Sequence, residues 1–254
     1  MKYFLSSILL LTMSTSSFAS ENLYQWAYER YKEKDIEIIS NQTVGQIDGN
    51  TYLALIVKKS EAGEMLLVVY DESISGKPSN IAIGELSTSP PFLYEVEIRK
   101  NSIFLNSSYC HNGCYDDRYQ FKIIDGKFRL IGYESQVETV SINFDTKKVL
   151  ASCGVKPGDD IPDDCGTNVV SAGNSYNLLN STSICWFDNS GNIPTNHKFS
   201  PRGAQHKVIL KIIALPLMDG FNPEKTTLPQ TCYFDYNKKL HLSETSPNRV
   251  AGGF

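Results

Sequence analysis

Four aspartates, Asp159, Asp160, Asp163 and Asp164, fall within six positions of one another. Carboxylates that close repel, and solvent, a cation or a basic partner must offset the repulsion. Three readings compete for them: a calcium site, a patch for a cationic protein, or a solvated loop closed by Cys153 and Cys165. The loop is the plainest of the three, because calcium takes about six to eight oxygen ligands. A second group is the run Cys110-His111-Asn112-Gly113-Cys114-Tyr115-Asp116-Asp117. A disulfide across three residues makes a stiff knuckle between strands. His111 is of the residue type that changes charge near neutral pH, and it can reach into a partner's cleft. Stiff loops lose little entropy on binding. His111, Asn112, Tyr115, Asp116 and Asp117 therefore join the four aspartates as candidate contact residues, against the plainer reading of a staple on a turn. A glycosidase-type acid pair would be drawn from Glu95, Glu97, Asp116 and Asp117. That chemistry needs carboxyl groups about 5–9.5 Å apart, which linear spacing does not fix. Glu95 and Glu97, two positions apart on a strand, share one face, the solvated one.

Familiar catalytic signatures are absent: HExxH, GxSxG, SxxK and GxxxxGK[ST] do not occur. The six cysteines are Cys110, Cys114, Cys153, Cys165, Cys185 and Cys232. An even count in an exported chain reads as disulfides. Sequence alone does not choose the pairing. The expected one is Cys110–Cys114, Cys153–Cys165 and Cys185–Cys232, the last joining Cys185-Trp186-Phe187-Asp188 to the similar Cys232-Tyr233-Phe234-Asp235. Oxidised sulfurs leave no thiolate nucleophile. Zinc is disfavoured, since there is no CxxC pair and His111, His197, His206 and His241 are scattered. No catalytic residue and no cofactor is assigned, and calcium is the less favoured alternative.

Export is read from the first 19 residues. Lys2 supplies a positive start, Phe4 to Leu11 an apolar middle, and Ser17-Phe18-Ala19 a small-x-small cleavage site. The apolar run falls short of the roughly 20 residues that span a bilayer. The expected location is the periplasm or the exterior, with no membrane span. A net charge of −4 and a pI near 5.6 argue against nucleic acid as a partner. They favour a basic protein instead.

The elements that must position these groups read as strands. With 41% apolar and 20% charged residues, the chain has enough apolar material for a packed core. Fourteen Tyr and twelve Phe suit pleated sheets. Glu21 to Lys34 is expected as one helix, with Leu23, Trp26, Ala27 and Tyr31 in a stripe. Beyond it the period falls to two. The clearest hairpin is Arg118 to Tyr133, turned by Asp125-Gly126, the dipeptide a two-residue turn prefers. Its register puts Phe121, Ile123, Phe128 and Leu130 on one face, with Lys122 and Arg129 opposite. Further strands are expected at Tyr52–Lys58, Met65–Tyr70, Leu93–Arg99, Ser102–Asn106, Thr139–Phe144, Lys148–Ser152, Ser183–Asp188, Val208–Leu215, Cys232–Tyr236 and Leu240–Leu242. The expected fold class is all-β: antiparallel hairpins in a sandwich or propeller-like arrangement, with one short N-terminal helix. Residues 20–254 form one exported domain. Sub-units 20–153 and 179–245 would be joined by a Gly- and Pro-rich loop, 154–178.

Residues 44–152 resemble bacterial secreted proteins with degenerate FG-GAP or VCBS-like β repeats. The likeness lies in Val44-Gly45-Gln46-Ile47-Asp48-Gly49-Asn50 with the strand Tyr52 to Val57, in Leu93 to Leu105, and in Tyr119-Gln120-Phe121 through Leu130-Ile131-Gly132 and Ser141-Ile142-Asn143-Phe144. It implies a β fold and a bacterial envelope location more than an activity. Fuller members carry a calcium loop, D-x-[DN]-x-D-G, of which only Asp48-Gly49 is present here.

The function expected from these features is non-catalytic recognition of another protein. A toxin-immunity protein or an inhibitor of a basic cell-wall hydrolase fits them. The alternatives are a periplasmic hydrolase working through a carboxylate pair, and an envelope carbohydrate-binding or structural module. The second would need exposed aromatics along one sheet face, whereas Trp26 and Trp186 read as core.

Overall fold

The structure is a computed structural model. It describes residues 23, 25–32, 36–39, 43–59, 65–71, 79–86, 93–110, 114–142, 167–188, 201, 203–212, 214–223, 225–226, 231–234 and 240–243. Most of these are extended and lie in antiparallel sheets, with one short helix, α1, over 25–32 and Leu23. The all-β class follows, and the sheets do not close into a barrel. Residues 1–19, His111, Asn112, Cys153, Cys165 and the four clustered aspartates lie outside the described residues.

The chain divides into two compact units. The first comprises Met1–Asn106, Gln120–Leu130 and Pro216–Thr226; the second comprises Ser107–Tyr119, Ile131–Leu215 and Thr227–Phe254.

The first unit is built on a sheet of β1 (Ile36–Ile38), β2 (Thr43–Ile47), β3 (Asn50–Lys59), β4 (Met65–Asp71) and β5 (Ser79–Leu86). Its order is β1-β3-β4-β5, and β2 shares an edge of β3 with β1. The runs Tyr52-Leu53-Ala54-Leu55-Ile56-Val57 and Leu66-Leu67-Val68-Val69-Tyr70 are apolar at every position. That is the pattern of strands covered on both faces, and Tyr52 to Val57 are all buried. On one face, Leu53, Leu55, Val57, Val68 and Tyr70 pack against Leu23, Ala27 and Tyr31 of α1. Spacings of four residues set those three in one helical stripe. Trp26 meets the Tyr70 ring edge-on at 5.1 Å, and the Tyr31 and Tyr70 hydroxyls hydrogen-bond to each other.

The other face, carrying Tyr52, Ala54, Ile56, Leu67 and Val69, is covered within this unit by a second layer. That layer is β6 (Leu93–Arg99) and parts of β7 (Ser102–Cys110), β8 (Cys114–Ile124) and β9 (Lys127–Ile142). The arrangement is sandwich-like. Tyr52 meets Phe128 edge-on across it at 5.6 Å. Three two-residue turns hold the hairpins, Asp48-Gly49, Lys100-Asn101 and Asp125-Gly126, with positive φ at both positions of each. Such turns match the twist of the strands they join. Phe121, Phe128 and Leu130 are buried on the expected face, while Ile123, Lys122 and Arg129 are half-buried.

Residues 216–226 return to this unit as a clasp. The Met218 N–H donates to the Phe128 carbonyl at 2.9 Å and the Leu130 N–H to the Pro216 carbonyl at 2.8 Å. On the clasp's other side, the Gly220 N–H donates to the Ile83 carbonyl at 2.8 Å and the Glu85 N–H to the Phe221 carbonyl at 2.7 Å. The clasp thus hydrogen-bonds to β5 and to β9, satisfying backbone groups that an edge strand otherwise leaves open.

In the second unit the remaining stretches of β7, β8 and β9 are joined by β10 (Thr167–Asn177), β11 (Thr182–Asp188) and β12 (Ala204–Ile209). The pairing order is β12-β11-β10-β9-β8-β7. A separate pair, β13 (Thr231–Phe234) and β14 (Leu240–Ser243), completes it, with β13 against β10 and β11. Cys185 of β11 is disulfide-bonded, and β13, which lies against β11, includes Cys232.

Part of the sequence expected as a loop, 154–178, is a strand. β10 pairs with β9 along its whole length and with β11 from Ser171 to Asn177, and Ser171, Ala172, Gly173 and Asn174 are buried. Its Ser, Asn and Gly content reads as loop, but small residues are what the packing demands. Gly173 faces Trp186 across the strand pair. A Cβ there would lie 2.4 Å from the Ser135 carbonyl oxygen and 2.6 Å from the indole. Gly173→Ala should therefore cost about 1–3 kcal/mol, the usual penalty for overpacking a filled site. Urea unfolding followed by Trp186 fluorescence would measure it; an unchanged midpoint would contradict the packing. Other bounds also differ from expectation: β7 runs to Cys110 rather than Asn106, and β8 begins at Cys114 rather than Arg118. β9 runs unbroken to Ile142, and β12 ends at Ile209, after which the Leu210 N–H donates to the Ser181 carbonyl at 2.8 Å.

Candidate functional site

The knuckle of the second unit forms as a disulfide between Cys110, which ends β7, and Cys114, which begins β8, with their Cα atoms 4.1 Å apart. Alternation then sorts the residues that follow. Tyr115, Asp117 and Tyr119 fall on one face of β8 and Asp116 and Arg118 on the other. Tyr115 stacks on Tyr109 at 6.5 Å between ring centroids and packs against the buried cluster Val137, Ala172, Cys185 and Phe187. Tyr119 stacks on Tyr133 at 4.8 Å, and Tyr133 lies against Tyr176 at 5.5 Å. The Tyr133 hydroxyl donates to Asp117 at 2.8 Å. Burial pushes the Tyr133 phenol well up, and the Asp117 carboxylate adds to that. On the opposite face Arg118 pairs with Glu134 at 3.7 Å, and the Ser175 hydroxyl donates to the same carboxylate at 3.4 Å.

Of the expected contact residues, Tyr115 and Asp117 are thus parts of the base on which the knuckle stands. Each is half-buried, as is Asp116. The four carboxylates considered for an acid pair divide between the units: Glu95 and Glu97 belong to the first, Asp116 and Asp117 to the second. Glu97 pairs with Arg99 at 2.8 Å, both side chains well exposed. Asp48, kept with Gly49 from the calcium-loop pattern, directly follows the end of β2. It occupies a two-residue hairpin turn, where its carboxylate accepts from the Asn101 side-chain amide at 3.2 Å. Trp186 is buried and Trp26 half-buried against α1's sheet.

A second feature, in the first unit, was not singled out by sequence reading. Tyr52, Asp71 and Ala82 from sheet strands, Ile123 and Gly126–Phe128 from the β8–β9 hairpin, and Leu217 and Asp219 from the clasp line a cavity of about 240 Å³. Tyr52 and Asp71 are cross-strand partners, so their side chains emerge side by side on one face. Asp71 is only 6% exposed. The register of β4 with β5 slips beside it, between Val69 and Tyr70, the kind of irregularity that re-aims side chains near sites. Asp219 is held at the rim by accepting the Ile83 N–H at 3.3 Å. Burial raises the Tyr52 phenol, the hydrogen bond with Asn50 lowers it, and the carboxylates of Asp71 and Asp48 raise it. The available signals were a carboxylate ending the apolar run of β4, Leu66 to Asp71, and the turn dipeptide Asp219-Gly220.

Among the described residues no helix is long and apolar enough to cross a membrane. Searches against protein-family models, curated proteins and solved structures found no match to this chain.

Proposed function

We propose that this protein is a non-catalytic binding protein, exported to the bacterial periplasm or beyond, that recognises another protein through the Cys110–Cys114 knuckle. A basic partner suits the net charge of −4. A cell-wall hydrolase neutralised by an inhibitor, or a toxin neutralised by its immunity protein, is the class intended. The observation that carries the reading is the disulfide-closed hairpin end standing on a braced aromatic base, with Tyr109 against Tyr115 and Asp117 tied to Tyr133. A loop closed by a disulfide gives up less freedom on binding than an open one. Acidic groups near it would speed encounter with a cationic surface and make it salt-sensitive.

The test is affinity measurement against basic hydrolases such as lysozyme and against envelope extract, at low and high salt. Binding should weaken as salt rises. Replacing both Cys110 and Cys114 by Ser should abolish it while lowering stability by no more than about 2 kcal/mol, the chain-entropy value for so short a loop. Binding that survives the double substitution would remove the knuckle from the proposal, and the absence of any salt-sensitive partner would count against recognition itself.

A further inference from the structure

We propose that the cavity of the first unit is a binding site for a small organic cation, a guanidinium or primary ammonium group on a short apolar stem, with Asp71 as its counter-ion. This goes beyond the knuckle and does not depend on it. Size is the first argument. At about 240 Å³ the cavity lies below the roughly 300–1,000 Å³ of sites for drug-sized ligands. It suits a guest no larger than a long side chain. The walls are the second. Tyr52 and Phe128, set edge to face, supply aromatic surface of the kind that attracts cations. Ala82, Ile123 and Leu217 supply apolar surface for a methylene stem.

Charge decides the sign of the guest. Among the described residues that line the cavity, Asp71 and Asp219 are joined by one basic group, Lys127, which is exposed. The surplus is negative, and the deepest charge is the Asp71 carboxylate. An anion would meet two carboxylates. A neutral apolar guest would strip water from Asp71 without replacing it, which is costly for a charged group. A carboxylate offers about four acceptor positions, enough to serve a partner within the fold and a guest together. The upward push that Asp71 and Asp48 exert on the Tyr52 phenol reports the same negative field. Bare metal is a poorer fit, since no group of three or more ligating side chains occurs among the described residues. Two sources could present this chemistry, a free small cation or an Arg or Lys side chain of a polypeptide.

The experiment is a titration of the full-length protein, followed by amide NMR, with propylguanidinium, propylammonium, the peptide Gly-Arg-Gly amide, propionate and calcium chloride. Saturable shifts at Ala82, Lys127, Phe128 and Leu217 are expected from the cations at millimolar concentrations. Asp71→Asn should weaken binding at least about tenfold, while Glu85→Gln, elsewhere on β5, should leave it unchanged. Leu217→Trp, which fills the cavity from an exposed position without touching a charge, should abolish it even where Asp71→Asn fails to fold. Binding of the small cations but not the peptide assigns a free ligand; binding of the peptide at least as tightly assigns a partner's side chain. No saturable shift with any cation up to about 50 mM, a value far weaker than a millimolar site, would overturn the proposal. So would an equal response to propionate, the same shifts from calcium alone, or binding unaffected by both substitutions.

Discussion

Phe221→Ala should cost the first unit about 3–5 kcal/mol, the range for emptying a buried phenylalanine site. Against a total stability of about 5–15 kcal/mol for a domain, that is enough to leave the unit close to its unfolding midpoint. Phe221 is 2% exposed and meets the Phe121 ring edge-on at 5.0 Å. Its own carbonyl accepts the Glu85 N–H, and Met218, three residues before it, is fully buried. The clasp therefore supplies core side chains as well as backbone hydrogen bonds. The surrounding strands are already fixed by their ladders, so they cannot collapse into the space that the ring leaves. Lys225→Ala on the same segment, at an exposed position, should change stability by no more than about 0.5 kcal/mol. Urea unfolding followed through Trp26, which belongs to the first unit, measures both. Equal, small effects from the two substitutions would mean that 216–226 lies on the unit without being part of it.

What the sequence made legible was local. The dipeptides Asp125-Gly126 and Lys100-Asn101 announce their turns because few residues tolerate positive φ, and the hairpins form there. The stripe of α1 was legible because Leu23, Ala27 and Tyr31 repeat at helical spacing. The Cys110–Cys114 bridge was legible because a short loop leaves few other partners in reach. The clasp was not, because Pro216-Leu217-Met218-Asp219-Gly220-Phe221 carries turn residues and no period. Its meaning lies in backbone bonds to strands more than eighty residues away in sequence. β10 was hidden by its small polar residues, whose reason is the Trp186 ring facing Gly173. The cavity was hidden for the same kind of cause. Tyr52, Asp71 and Asp219 are each ordinary in sequence, and only the β3–β4 register and the return of the clasp bring them together.

Both units should also lose stability in alkali. Tyr31, Tyr52 and Tyr70 of the first unit and Tyr133 of the second are buried, and burial is the main cause that raises each phenol above its usual value. The neighbouring Tyr70 adds to this at Tyr31, and the Asp117 carboxylate adds to it at Tyr133. In the unfolded chain a phenol ionises near pH 10. Below that pH both states hold the proton, and these groups give stability no pH dependence. Above it the unfolded state releases protons that the folded state keeps, so stability falls as pH rises. Each such tyrosine contributes at most about 1.4 kcal/mol per pH unit, and only until the pH reaches its own raised value. Both units should therefore lose stability above about pH 10, the first through Tyr31, Tyr52 and Tyr70 and the second through Tyr133 among its buried tyrosines. Trp26 reports the first unit and Trp186 the second, so fluorescence of single-tryptophan variants between pH 9 and 12 separates them. Absorbance at 295 nm should show these four phenols ionising together with the loss of structure, after the exposed ones. Tyr133→Phe should lessen the slope of the second unit alone, and Tyr70→Phe should lessen that of the first. Complete phenol ionisation near pH 10 with both tryptophan signals intact would mean that the four hydroxyls reach solvent in the folded protein, which their burial forbids.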